Sequence, residues 1–164
     1  MANSMNVVPA AQAVKTGIKD VKPLVQGLTE ALSDTYRLVF KSHAYHWNVE
    51  GPLFFSIHQL TELQYTDLFQ AADVLAERIR SLGQLAPMTM AEILENSIIK
   101  DLDKMPSAQG MVEDLADDHT RVARRFHGLI KLAEESADPV TADLATSRSA
   151  FHEQAAWMLR ATAK

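Results

Sequence analysis

The 164-residue chain contains no cysteine. Disulfides, thiolate zinc sites, iron–sulfur clusters and cysteine nucleophiles are thereby excluded together. Glycine and proline number only six each and fall between long periodic segments, which favours a few long elements. No apolar run approaches the ~18 residues needed to cross a bilayer, so no membrane partner is expected. The opening MANSMNVVPAAQAVK lacks a basic stretch followed by an apolar core. It does not read as a secretory signal, and the cytoplasm is the expected location. Nucleotide-binding glycine fingerprints and the H-E-x-x-H of zinc proteases are missing. A formal net charge of −5 argues against a uniformly basic surface for nucleic acid.

What is present is helical periodicity. The hydrophobic fraction of 47% and charged fraction of 23% suit one globular domain. Residues 1 to about 21 are weakly patterned and are expected to form a mobile N-terminal tail. Pro23 suits a first helical turn. From there Leu24, Leu28, Leu32, Val39 and Phe40 form an apolar stripe running to about Asn48. Gly51-Pro52 breaks the chain, and a second helix is expected from about Phe54 to Leu82, with Gly83 as its stop. Thr89 and Glu92 fit a capping box opening a short helix over 89–96. A loop to Pro106 precedes a third long helix carrying Met111, Leu115, Val122, Phe126, Leu129 and Ile130. Asp138-Pro139 then starts a last helix that runs through Val140, Leu144, Phe151, Ala155 and Met158 to about Ala161. No alternating β-branched run competes. The fold class is therefore all-α: an antiparallel four-helix bundle over 22–164, with a short helix between the second and third long ones.

Chemistry concentrates between His43 and Gly83. His58, Glu62, Asp73 and Glu77 fall at roughly 0°, 40°, 60° and 100° around the second helix, so they share one face. His46, in the HAYHWN end of the first helix, adds a second imidazole. Two imidazoles and three carboxylates suit iron, manganese or zinc rather than a soft metal. Acidic residues on one helix side also describe a solvated face. Against that, residues 58–77 contain no Lys or Arg, so this sector needs a cation to be stable in an interface. Ile57, Leu60, Leu63, Leu68, Val74 and Leu75 provide a separate apolar surface for the bundle.

Glu62 and Asp73 lie eleven residues apart, about 16 Å along a straight helix. Metal–oxygen bonds are only about 2 Å. A two-fold dimer with this helix antiparallel to its copy resolves the mismatch, and one contact then creates two shared sites. No Glu-x-x-His occurs anywhere, which excludes a di-iron site built inside one bundle from two such pairs. His43 stays open between minor ligand and surface residue. His119 reads as a buried structural histidine, and His127 and His152 have no clustered partners. Trp47 beside His46 suits either ligand orientation or packing.

His46-Trp47-Asn48, His58 twelve residues after His46, Glu62 and Asp73-x-x-x-Glu77-Arg78 together resemble the Dps family of mini-ferritins. The resemblance covers essentially the whole chain. It implies a homo-dodecamer of tetrahedral symmetry with ferroxidase centres at its two-fold interfaces. His46, His58 and Glu62 would come from one subunit, Asp73 and Glu77 from its neighbour, with Trp47 behind them. Many relatives carry Asp at the position of Glu62. The implied activity is ferroxidase: ferrous iron is oxidised, hydrogen peroxide preferred over dioxygen, and ferric mineral is stored, with no organic cofactor. DPVTAD, with Asp138 and Asp143, resembles the family's acidic iron-entry pore, although Asp138 also suits a helix cap. DNA protection under stress is implied too. Lys15, Lys19 and Lys22 are the candidate DNA-contact residues, and weak, strongly salt-dependent binding is expected. The alternative reading is a nucleoid-associated DNA-compacting protein with a secondary iron role.

Overall fold

The computed structural model describes residues 4–163. Four long helices form the bundle: α1 (Val21–Asn48), α2 (Phe54–Ser81), α4 (Ala108–Glu135) and α5 (Pro139–Thr162). A short α3 (Met90–Asn96) sits in the α2–α4 connection, and a 3-10 turn covers Ser4–Asn6. Helices α1 and α2 pack as one hairpin and α4 and α5 as the other, joined chiefly along α1 and α4. The four-helix class and the short helix are as the sequence indicates. Among the described residues, no helix is long and apolar enough to cross a membrane.

Local chemistry sets the boundaries. Thr89 accepts from the Glu92 amide while the Glu92 carboxylate accepts from the Thr89 amide, a complete capping box. Ser107 caps α4 through the Gly110 amide, and Asp138 caps α5 through the Thr141 amide with Pro139 in the first turn. Gly51 turns the chain between α1 and α2 at φ 97°, a conformation that glycine adopts without a Cβ penalty.

The core is built from the periodic positions. Leu24, Leu28, Leu38, Ile57, Leu68, Leu75, Ile79, Leu115, Phe126, Leu129 and Leu159 are fully buried. Each contributes roughly 1.5–3 kcal/mol of burial. Five residues on the expected apolar stripes lie outside it: Phe40, Leu63, Val74, Val140 and Met158 are exposed, Leu63 at 68%. The bundle's inward sector is narrower than the apolar sector of these helices, so the surplus faces outward.

Buried charge ties the crossing connection to α1. Asp34, fully buried, accepts from Ser97 Oγ and the Ile98 amide at 2.8 Å each and pairs with Arg125 Nε at 3.0 Å. Burial raises its carboxyl pKa despite the facing Arg125. Two helical turns further on, Lys41 Nζ donates to the Lys100 carbonyl at 2.6 Å, Asp118 at 2.6 Å and Asp114 at 2.9 Å. Tyr45 donates to the same Asp114 carboxylate. These two clamps fix residues 97–100 across the bundle.

The N-terminal stretch, expected as a tail, lies along this framework. Ala13 bridges Leu82, the Val14 amide donates to the Ser81 carbonyl at 3.0 Å, and the Lys19 amide donates to the Ser136 carbonyl at 2.9 Å. Its first three residues lie outside the described residues. Lys15, Lys19 and Lys22 all expose their side chains.

Candidate metal centre

The tight turn at Gly51 brings the end of α1 against the start of α2. His46, buried, and His58, half-buried, stack with ring centroids 3.6 Å apart. Each imidazole Nδ1 meets the other residue's main-chain carbonyl: His46 Nδ1 to His58 O at 2.8 Å, and His58 Nδ1 to His46 O at 2.9 Å. A carbonyl only accepts, so each Nδ1 carries a proton, and in the neutral ring the lone pair lies on Nε2. Both rings are thus held in the tautomer that a metal ligand requires, by the kind of outer hydrogen bond that orients ligating imidazoles.

Glu62 follows one helical turn after His58 on the same face, exposed, with the Gln59 amide 3.4 Å from its carboxylate. Asp73 and Glu77 are also exposed, farther along α2. Asp73 lines a cleft of about 510 Å³ with Leu32, Tyr36, Phe69 and Ile93. Glu77 lines a separate groove of about 570 Å³ with Arg78, Ser81, Val140, Asp143 and Ser147. One chain therefore brings His46 to His58, with Glu62 one turn further along the same helix, and leaves Asp73 and Glu77 elsewhere. Among the described residues, no three His, Asp or Glu side chains converge closely enough to hold an ion.

Around the imidazoles lies an aromatic shell. His43 stacks on Trp47 at 4.7 Å, lies tilted over Tyr65 at 3.8 Å and stands edge-on to His46 at 6.3 Å, so it is packed among rings. Trp47 touches His43 and is 61% exposed. Tyr65 stands edge-on to His46 at 5.3 Å, and Phe54 stacks on His58 at 4.9 Å. Sequence reasoning does not single out Tyr65. Its signal is the seven-residue spacing from His58, two turns along one helix face.

The two α5 carboxylates separate sharply. Asp138 is buried and accepts from Arg78 Nη2 with both oxygens at 2.7 Å, and from the Thr141 amide and hydroxyl. Burial works against its ionisation, but the hydrogen bonds from Arg78 and Thr141 outweigh it and hold the carboxyl below its ordinary pKa. Asp143 is exposed in the Glu77 groove. Asp138 thus caps the last helix, one of the two roles that the sequence offers it.

With this geometry in view, comparison with known proteins places the chain. Residues 25–164 match the ferritin-like domain family. An uncharacterized low temperature-induced protein of Nostoc sp. is 39% identical over 135 residues, covering 81% of this chain and 75% of that protein. DNA protection during starvation protein 2 of Bacillus anthracis is 35% identical over 140 residues, covering 85% of this chain and 96% of the relative. The Dps protein of Vibrio cholerae O1, described as a member of a broad superfamily of ferritin-like diiron-carboxylate proteins, superposes with a TM-score of 0.86 at 26% identity, over 96% of this chain and all of the other. A ferritin-like domain across most of the chain, relatives over 30% identical and a shared four-helix frame lead to one conclusion: this chain belongs to the Dps family of ferritin-like proteins.

Proposed function

We propose that the protein oxidises ferrous iron with hydrogen peroxide at centres shared between two copies of the chain, and stores the ferric product in a dodecameric shell that shields DNA. One observation carries this reading: the reciprocal ring-to-carbonyl bonds of His46 and His58 orient both imidazoles at the α1–α2 turn, one helical turn before Glu62. The remaining carboxylates, Asp73 and Glu77, lie on the same helix face but out of reach along the axis. A two-fold pairing of α2 with its copy would bring Asp73 and Glu77 of one protomer to the imidazoles of the other. Tyr36, Phe69 and Val74, exposed beside Asp73, offer apolar surface for such a contact.

Iron is the substrate. Two ferrous ions each give one electron to a peroxide molecule; with two protons, its O–O bond is cleaved to give two waters and two ferric ions. Carboxylates and imidazoles hold ferrous iron and favour the harder ferric product. Trp47, through His43 and Tyr65, buttresses the ligand rings. Cations would enter by way of Asp143, whose carboxylate faces an open groove. DNA contact through Lys15, Lys19 and Lys22 would be weak and lost as salt rises, since the chain as a whole is acidic.

Subunit mixing tests the shared centre. His58→Ala and Asp73→Ala homo-assemblies should both oxidise ferrous iron slowly. In a two-fold pair made of one of each, one site carries both defects and the other carries none. Random reassembly of equal amounts should therefore restore about a quarter of the wild-type sites. If mixing restores nothing while each variant assembles normally, the site does not span two chains.

A further inference from the structure

Two carboxylates open α5, five residues apart, yet the fold treats them oppositely. Asp138 is buried under Arg78; Asp143 is free in the groove whose other wall carries Glu77. Arg78 sits between them. Its Nη2 holds both Asp138 oxygens at 2.7 Å, its Nε donates to Thr141 Oγ1 at 2.9 Å, and its Nη1 reaches Ser81 Oγ at 3.3 Å. The side chain also lines the groove itself. Every nitrogen of this guanidinium is engaged, and its charge is matched by one carboxylate.

We propose that Arg78 is a positioning residue for cation entry: by sequestering Asp138 it leaves Asp143 as the single working carboxylate at the start of α5. The inference rests on the entry role given to Asp143 above. An entry point must capture a cation and release it. A further unpaired carboxylate added to Asp143 and Glu77 would hold a divalent ion more tightly and release it more slowly. The Arg78–Asp138 pair sums to zero charge, so the groove's potential is set by Asp143 and Glu77.

This arrangement makes an ordered prediction that general damage to the fold cannot imitate. Manganous ion, which keeps its oxidation state under these conditions, is titrated into the assembled protein and its free fraction read by electron paramagnetic resonance. A His58→Ala/Glu62→Ala background removes competing sites. Arg78→Met uncovers one negative charge and should tighten retention about five- to tenfold, the effect of one added charge at partly screened distance. Asp138→Asn uncovers the guanidinium and should weaken it by a similar factor. Arg78→Met/Asp138→Asn removes both charges and should return close to the unmodified background. Arg78→Lys should rescue the single Arg78 defect.

If the double variant binds as weakly as Asp143→Asn, Asp138 is itself a ligand and the proposal is overturned. It is equally overturned if Arg78→Met assembles and binds like its background. If Asp143→Asn alone changes nothing, the entry role of Asp143 fails instead. Should Arg78→Met not assemble, the double variant against Asp143→Asn decides the matter, because removing both members leaves no buried unpaired charge.

Discussion

His46 and His58 fix each other's tautomer through each other's main chain, His46 Nδ1 on the His58 carbonyl at 2.8 Å and His58 Nδ1 on the His46 carbonyl at 2.9 Å. The rings also stack at 3.6 Å, so loss of either removes the surface that packs its partner in place. His46→Gln should therefore slow ferrous oxidation about as much as His58→Gln, by roughly 10- to 100-fold, with little change in helicity. Stopped-flow absorbance of ferric product measures it. Near-wild-type rates in either variant would remove that residue from the site.

The buried histidine pair between α4 and α5 gives the bundle an acid limit. His119 and His152 share an Nδ1···Nδ1 hydrogen bond of 2.8 Å, which requires one protonated and one bare nitrogen, so the two rings cannot both be cationic without breaking it. Both Nε2 atoms are buried with no hydrogen-bond partner, which leaves nothing to stabilise a first added proton either. Burial, with Arg148 nearby, lowers the His119 pKa to about 3; burial, with His119 and Arg148, holds His152 well below its ordinary value. Folded values lie below unfolded ones, so the stability from the neutral pair is complete above about pH 6.5 and drains as pH falls toward 3. Each ring contributes a slope of up to about 1.4 kcal/mol per pH unit. Melting temperature should fall between pH 6.5 and 5, and His119→Leu/His152→Leu should flatten that limb.

Asp34 is the keystone of the crossing connection. Asp34→Ala frees Ser97 and the Ile98 amide and strips Arg125 of one partner, while Glu30 and the Asn96 carbonyl still hold that guanidinium. A loss of roughly 2–4 kcal/mol is expected. Calorimetry should show a melting temperature lower by on the order of 10 °C, and hydrogen exchange should rise first over residues 97–106.

Gly83 is left-handed at φ 83°, and a Cβ there would sit 2.7 Å from the Ala13 Cβ. Gly83→Ala should therefore release the N-terminal stretch as well as strain the end of α2, by about 1–2 kcal/mol. Limited proteolysis near Lys15 and Lys19 should accelerate severalfold. An unchanged cleavage pattern would mean that the Ala13–Leu82 contact does not hold the segment.

Much of the fold is legible in the sequence because its signals are local. Asp138-Pro139 and Thr89/Glu92 are start signals read over four residues or fewer, and the observed helices begin where they say. The ligand face of α2 is legible for the same reason, since 3.6-residue periodicity places residues around one axis without tertiary knowledge. The His119–His152 pair is not, because its members lie 33 residues apart on neighbouring helices. Their meeting depends on hairpin register, which neither local pattern encodes. Asp34 and Lys41 escape similarly: a charged residue on a helix reads as solvated until the connection that covers it is placed. Phe40 and Leu63 mislead the other way, apolar by type but facing outward.

Lys41 offers a use beyond architecture. Its amine is enclosed by a carbonyl and two carboxylates while Lys15, Lys19 and Lys22 stand in solvent. An acylating reagent should mark those three within minutes yet spare Lys41 until the helices part. The appearance of label at that one position, followed by peptide mass, would make the chain its own clock for bundle opening.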